Sequence, residues 1–172
     1  EVFTIEYIPR LPISFRKGLY KLILPLRKVK DKIALNVPTS DVTYETRLDF
    51  AKLSRQGLNN SGSKLLEFDE SVKVEKLEGT PVDIYKFTPQ DCTEDTYGVY
   101  FHGGGYYAGS IISHKHFVSR LSAGTKTPFY FFEYRLSPEY VFPSAHDDAK
   151  AVVEYINNIE GSKNSIWAGE SA

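Results

Sequence analysis

The chain has no methionine, one cysteine (Cys92) and one tryptophan (Trp167). Position 1 is therefore not a translation start, and the N-terminus is expected to be processed or incomplete, any targeting segment having gone with it. A lone cysteine excludes an internal disulfide framework and leans towards a reducing, cytoplasmic compartment; Cys92 itself reads as a plain thiol in a polar loop. Long apolar runs are missing too. None approaches the roughly 20 residues that a membrane-spanning helix needs, and Glu1-Val2-Phe3-Thr4 has neither the positive start nor the apolar stretch of a signal peptide. Neither sign of charge is in excess, since 21 Lys and Arg stand against 22 Asp and Glu, so nothing electrostatic favours a nucleic-acid partner. What remains is 172 residues, 41% hydrophobic and 25% charged, the size and balance of one ordinary soluble domain with a core.

Along this length the texture changes once. Phe15, Leu19, Leu22, Leu26, Val29 and Ile33 recur at steps of three and four, which predicts a helix with one apolar face. Pro25 should kink or divide it, because proline removes a donor and crowds the preceding turn. Arg16 to Lys32 carries seven positive charges and one negative; a solvated helix face is a simpler reading than contact with an anionic membrane surface. Thr39-Ser40-Asp41 offers caps for a second helix with Tyr44, Leu48 and Ala51 on one side, ending near Gly57. Asn59-Asn60-Ser61-Gly62-Ser63 reads as an exposed linker.

Beyond it, Val72 to Leu77 and Val82 to Phe87 alternate as two half-exposed strands joined by a tight turn at Glu78-Gly79-Thr80-Pro81. Gly98-Val99-Tyr100-Phe101, Phe129-Tyr130-Phe131-Phe132 and Ile166-Trp167-Ala168 are continuously apolar, as strands buried on both faces of a parallel sheet are. Helices are expected between them, at Ser113 to Gly124 and at Pro143 to Ile159, and this alternation predicts an α/β fold. In the later helix Ala145, Ala149, Val152, Val153 and Ile156 form an inward stripe. Asp147 and Asp148 fall in its first turn, where the helix dipole favours negative charge.

Two short stretches carry chemistry. Gly169-Glu170-Ser171-Ala172 follows an expected strand and matches the start of a G-x-S-x-G nucleophile elbow, in which a serine sits on a sharp strand-to-helix turn that needs a small residue two places before it. His102-Gly103-Gly104-Gly105 follows another. Successive glycines present backbone N–H groups to one anion without interference from a β-carbon, and such donors stabilise the oxyanion that forms when a serine attacks an ester. The spacing fits neither of the common phosphate-binding glycine loops.

With Tyr134-Arg135-Leu136-Ser137-Pro138-Glu139, Phe142-Pro143 and Asp148-Ala149 between them, these blocks resemble the hormone-sensitive-lipase-like family of α/β-hydrolases, which includes arylacetamide deacetylases and many carboxylesterases. The resemblance covers residues 72–172 firmly and the N-terminal helices in outline. It implies the N-terminal part of an α/β-hydrolase fold, a mostly parallel sheet flanked by helices and preceded by cap helices. It implies a carboxylic ester hydrolase with Ser171 as nucleophile. The oxyanion hole would be built on Gly103, Gly104, Gly105 and Ala172, with Gly103 as the hinge and the other three as N–H donors. His102 would orient the loop, and Gly169 and Glu170 would be structural. Glu170 departs from the aspartate the family often carries there, a tolerated change, and Arg135 and Glu139 would pin the turn after their strand.

The family's acid and histidine follow the serine, so the chain is expected to be an N-terminal fragment, inactive and poorly stable by itself. Cap helices and linker would occupy 1–62, and the first half of the catalytic domain 63–172. His114 and His116, two apart on a helix and facing different ways, and His146 beside Asp147, are read as packing or surface residues. No metal and no cofactor are expected. The partner would be a small-molecule ester. The alternative reading is a non-catalytic small-molecule receptor or pseudo-enzyme on the same fold.

Overall fold

In the computed structural model, residues 43–93 and 95–171 are described. The helix expected over Phe15 to Ile33 with its Pro25 break, the basic stretch Arg16 to Lys32, the caps Thr39-Ser40-Asp41 and Ala172 lie outside them. The order of elements is α1 (Tyr44–Leu65), β1 (Val72–Lys76), β2 (Ile84–Pro89), β3 (Thr96–Phe101), α2 (Ile111–Thr125), β4 (Phe129–Phe132), α3 (Ser144–Glu160) and β5 (Asn164–Gly169).

Helix α1 starts where Thr43 Oγ1 accepts the Thr46 N–H at 3.3 Å, an N-cap bond that satisfies one of the orphan donors of the first turn. It does not end near Gly57, and the stretch read as a linker is helical throughout. Weak propensity over Asn59 to Ser63 is overridden by packing against α2. A β-carbon on Gly62 would collide with the Ser113 backbone, so the glycine that suggested a break instead permits close approach of two helices. Asn59 adds a bond, its Oδ1 accepting from Ser110 Oγ at 2.7 Å.

The sheet has the order β1-β2-β4-β3-β5. Pairs β1–β2 and β2–β4 are antiparallel, and β4–β3 and β3–β5 are parallel, so the expected mostly parallel sheet is a mixed one. β1 and β2 form the expected hairpin, but the tight turn is a longer loop over 77–83, closed by Leu77 N–H on Ile84 O at 2.8 Å. β4 is buried on both faces, as its four aromatics predict. Tyr130 and Phe132 join Tyr97, Val99, Val152 and Ile156 beneath α3, while Phe131 meets Tyr100 and His102 on the other face. Gly98 makes room for β4, since a β-carbon there would strike the Phe129 ring.

β5 corrects the third apolar expectation. Its side chains are mostly exposed, Ile166 at 40% and Trp167 at 62%, because among the described residues only β3 pairs with it and nothing covers its faces. In α3, Asp147 is the exposed first-turn acid. Asp148 is buried and faces inward, where its carboxylate takes the Arg135 backbone N–H at 2.8 Å and the guanidinium at 2.7 Å. Arg135 thus pins the turn after β4 as expected. Glu160, at the far end of α3, is also buried. Burial opposes its charge, yet hydrogen bonds from Lys163 and Tyr130 and the nearby Lys86 hold its carboxyl down at about 2. No helix among the described residues is long and apolar enough to cross a membrane.

Candidate active site

β3 and β5 run parallel in a register that places Phe101 opposite Gly169. The segments that leave their C-terminal ends, His102-Gly103-Gly104-Gly105 and Glu170-Ser171, therefore emerge side by side, where α/β sheets bind ligands. Gly169 is required there: a β-carbon would lie 2.6 Å from the Phe101 carbonyl oxygen. Ser171 is exposed and has φ +56°, a left-handed conformation that is uncommon outside glycine and costs on the order of 1–3 kcal/mol. A strained residue thus follows the strand, with a small one two places before it.

The glycine loop is folded tightly on itself and on Glu170. Gly103 donates its N–H to Glu170 Oε1 at 2.5 Å, and a β-carbon on it would collide with the Glu170 carbonyl and carboxylate. That N–H is committed to the Glu170 carboxylate. Gly104 and Gly105 have φ of +126° and +62°. The loop then turns back, with Tyr107 and Ala108 N–H groups donating to Gly104 O at 3.2 and 3.0 Å.

His102 is buried and stacks on Tyr134 with ring centroids 4.1 Å apart, and the Tyr134 hydroxyl donates to the His102 carbonyl at 2.6 Å. Its Nδ1 lies 2.9 Å from Gly103 O; a carbonyl only accepts, so Nδ1 carries the hydrogen. Burial lowers its pKa to about 4, so the imidazole is neutral at pH 7 and braces the loop.

Three residues near the loop have partners that the sequence did not indicate. Arg55 of α1 donates from Nε to Tyr107 O at 2.7 Å and from Nη2 to Ser137 O at 2.8 Å. The same guanidinium grips Glu139 with two bonds of 2.7 Å. Those bonds hold the Glu139 carboxyl down at about 2. Glu139 was expected to pin its own turn; it does so through Arg55, a partner that no local pattern in the sequence signals. His114 points its Nε2 at Glu170 Oε1, 2.9 Å away. Its separation from His116 by two positions was the available clue: His116 turns away to Phe68, ring centroids 6.1 Å apart, and His146 stacks at the surface on Tyr106.

A cavity of about 320 Å³ opens beside Gly105, walled by Tyr106, Tyr140, Phe142 and His146 among others. Another of about 280 Å³ lies on the β1–β2 side among Lys73, Lys86 and Glu160 and has no glycine-loop residue. The structure thus brings together His102, Gly103, Gly104, Gly105, Gly169, Glu170 and Ser171, while Ala172 lies outside the described residues.

Residues 98–172 match the family model of the alpha/beta hydrolase fold. The chain is 36% identical over 106 residues to versiconal hemiacetal acetate esterase stcI of Emericella nidulans, an alignment covering 60% of this chain and 36% of that protein. It is 39% identical over 71 residues to ethyl acetate hydrolase of Pseudomonas putida, covering 40% and 22%. Among solved structures, an esterase/lipase from an uncultured bacterium has a TM-score of 0.65 at 25% identity, covering 88% of this chain and 48% of that one. A hormone-sensitive-lipase homologue, EstE7, from a metagenome library has 0.61 at 26%, covering 70% and 45%. The chain spans about a third or less of these curated relatives and about half of these structural ones.

Proposed function

We propose, from the premise that this chain belongs to the hormone-sensitive-lipase-like α/β-hydrolases, that it carries the nucleophile and oxyanion hole of a serine carboxylic ester hydrolase. The observation that carries this reading is the φ of +56° at Ser171, directly after the strand end at Gly169 and beside the glycine loop. Ser171 Oγ attacks the ester carbonyl carbon, and the carbonyl π pair moves to oxygen. The N–H groups of Gly104, Gly105 and Ala172 hold that oxyanion, each important donor being worth roughly 3–4 kcal/mol. The serine proton passes to a histidine and then to the departing alcohol, and water hydrolyses the acyl-enzyme.

The histidine and its acid come, in this reading, from the part of the relatives' length that the chain does not span. Among the described residues, His102 is neutral inside the loop, both ring nitrogens of His114 are engaged, His116 meets Phe68 edge-on and His146 stacks on Tyr106. The substrate class is acetate and other short acyl esters, a reading supported by similarity to a hemiacetal acetate esterase and an ethyl acetate hydrolase, and no cofactor takes part. The division into cap helices over 1–62 and the first half of a catalytic domain over 63–172, and a cytoplasmic location, belong to the same proposal. α1 crosses that boundary and packs on α2.

The test is fluorophosphonate labelling and p-nitrophenyl acetate turnover of the full-length protein. Ser171 takes the label, and Ser171→Ala abolishes both signals. A folded protein that neither labels at Ser171 nor turns over ester would instead support the receptor reading.

A further inference from the structure

We infer that His114 is a positioning residue for the glycine loop, acting through the Glu170 carboxylate. One oxygen of Glu170, Oε1, accepts two hydrogen bonds: from Gly103 N–H at 2.5 Å and from His114 Nε2 at 2.9 Å. Facing a carboxylate, Nε2 must carry its hydrogen. The other ring nitrogen, Nδ1, bonds Ser113 Oγ at 2.8 Å, a hydroxyl that serves whether or not Nδ1 carries a hydrogen, and Ser113 Oγ accepts the N–H of Ser110, the N-cap of α2, at 2.9 Å. Ser110 in turn bonds Asn59 of α1. A continuous chain of hydrogen bonds therefore runs from α1 through the α2 cap, His114 and Glu170 to the first glycine of the loop.

The ring has little freedom to leave this chain. It packs against His102, Phe131 and Tyr100, with centroids 5.3, 6.0 and 6.3 Å away, and its side chain is only 14% exposed, against 38% for Glu170. The carboxylate is the more exposed partner, and His114 is what orients it. That matters because glycines have no side chains with which to hold a loop: remove the histidine, and Glu170 can swing towards solvent and release the Gly103 N–H. The donors that follow, on Gly104 and Gly105, then lose their alignment with the elbow, where a displacement of about 1 Å is enough to lower a rate by about 10²-fold.

The effect on turnover rests on the esterase reading above; the tether does not, and the experiment separates them. In the full-length protein, His114→Phe keeps an aromatic ring but no donor, and His114→Gln restores an amide donor. Amide exchange at Gly103 reports the tether, and kcat and KM for p-nitrophenyl acetate report its consequence. His114→Phe should speed Gly103 exchange at least about tenfold and lower kcat about 10–100-fold, with KM within about twofold; His114→Gln should recover most of both. In the unsubstituted protein, NMR should find the hydrogen on His114 Nε2, a readout that needs no variant to fold. Unchanged exchange in folded His114→Phe, or an Nε2 without a hydrogen, overturns the inference. If Ser171→Ala keeps full turnover while Gly103 exchange still responds to His114→Phe, the esterase reading fails and the tether stands.

Discussion

The glycine loop is held at its two ends by unlike devices. At its start, Gly103 is tied by a backbone N–H to one carboxylate oxygen, and that carboxylate belongs to the residue before Ser171. At its far end, Tyr107 is tied by its carbonyl to the Arg55 guanidinium, which also grips Ser137 and Glu139. The first clamp joins the loop to the segment after β5 and sits at the proposed chemistry. The second joins loop to α1 and to the turn after β4, and it is a scaffold bond. The difference teaches that one short loop can divide its supports: the near clamp sets where donors point, and the far clamp sets whether the loop stays attached to the domain.

The largest effect should come from breaking the near clamp sterically. Gly103→Ala puts a methyl group into the Glu170 carboxylate and carbonyl, so kcat in the full-length protein should fall by at least about 10²-fold, with a lower Tm. An unchanged kcat would show that the near clamp does not position the donors. The far clamp predicts a different signature. Arg55→Lys keeps the charge but loses the planar fork that serves three residues at once. We expect about 1–2 kcal/mol of destabilisation in a denaturant titration and a change in kcat within about threefold. A larger loss in kcat than in stability would erase the distinction between the clamps.

The two ends also differ in their pH dependence. His102, within the near end, is held neutral by burial, its pKa lowered from 6.5 to about 4. A base depressed by folding contributes stability that is full above pH 6.5, declines as the pH falls because the unfolded chain binds the proton first, and is spent below about 4. The total is on the order of 3 kcal/mol. Glu139, at the far end, is lowered from 4.5 to about 2 by the Arg55 bonds. Its contribution is present above 4.5 and is lost between there and about 2. Stability measured against pH should thus decline in two windows, and His102→Gln should flatten only the upper one.

The residues at the near end could be read from the sequence alone, because their backbone requirements are local, although the bond that joins Gly103 to Glu170 across 67 positions could not. A glycine is needed where a strand end passes within 2.6 Å of a carbonyl, and a serine after such a glycine is committed to a sharp turn. The far clamp could not be read, because Arg55 and Glu139 lie 84 positions apart and neither stands in a pattern that implies the other. The same holds for Asn59 to Ser63: a polar run containing glycine reads as a linker until the close passage of α2 gives Gly62 a reason to be helical. β4 and β5 make the point within one sheet. Both carry apolar runs, yet β4 is buried on each face and β5 exposes Trp167, since an apolar run announces a strand without fixing its place in the sheet.

By itself the sequence determined the alternation of strands and helices, the buried aromatic strand, the glycine loop and the small residue at the strand end before Ser171, all of them consequences of interactions between near neighbours in the chain. The tertiary structure decided the mixed strand order, the exposed place of β5 and the continuous course of α1. It also decided the two clamps that make His114, Glu170, Arg55 and Glu139 one setting for the loop. Those depend on contacts between residues far apart in sequence, which become neighbours when the core folds.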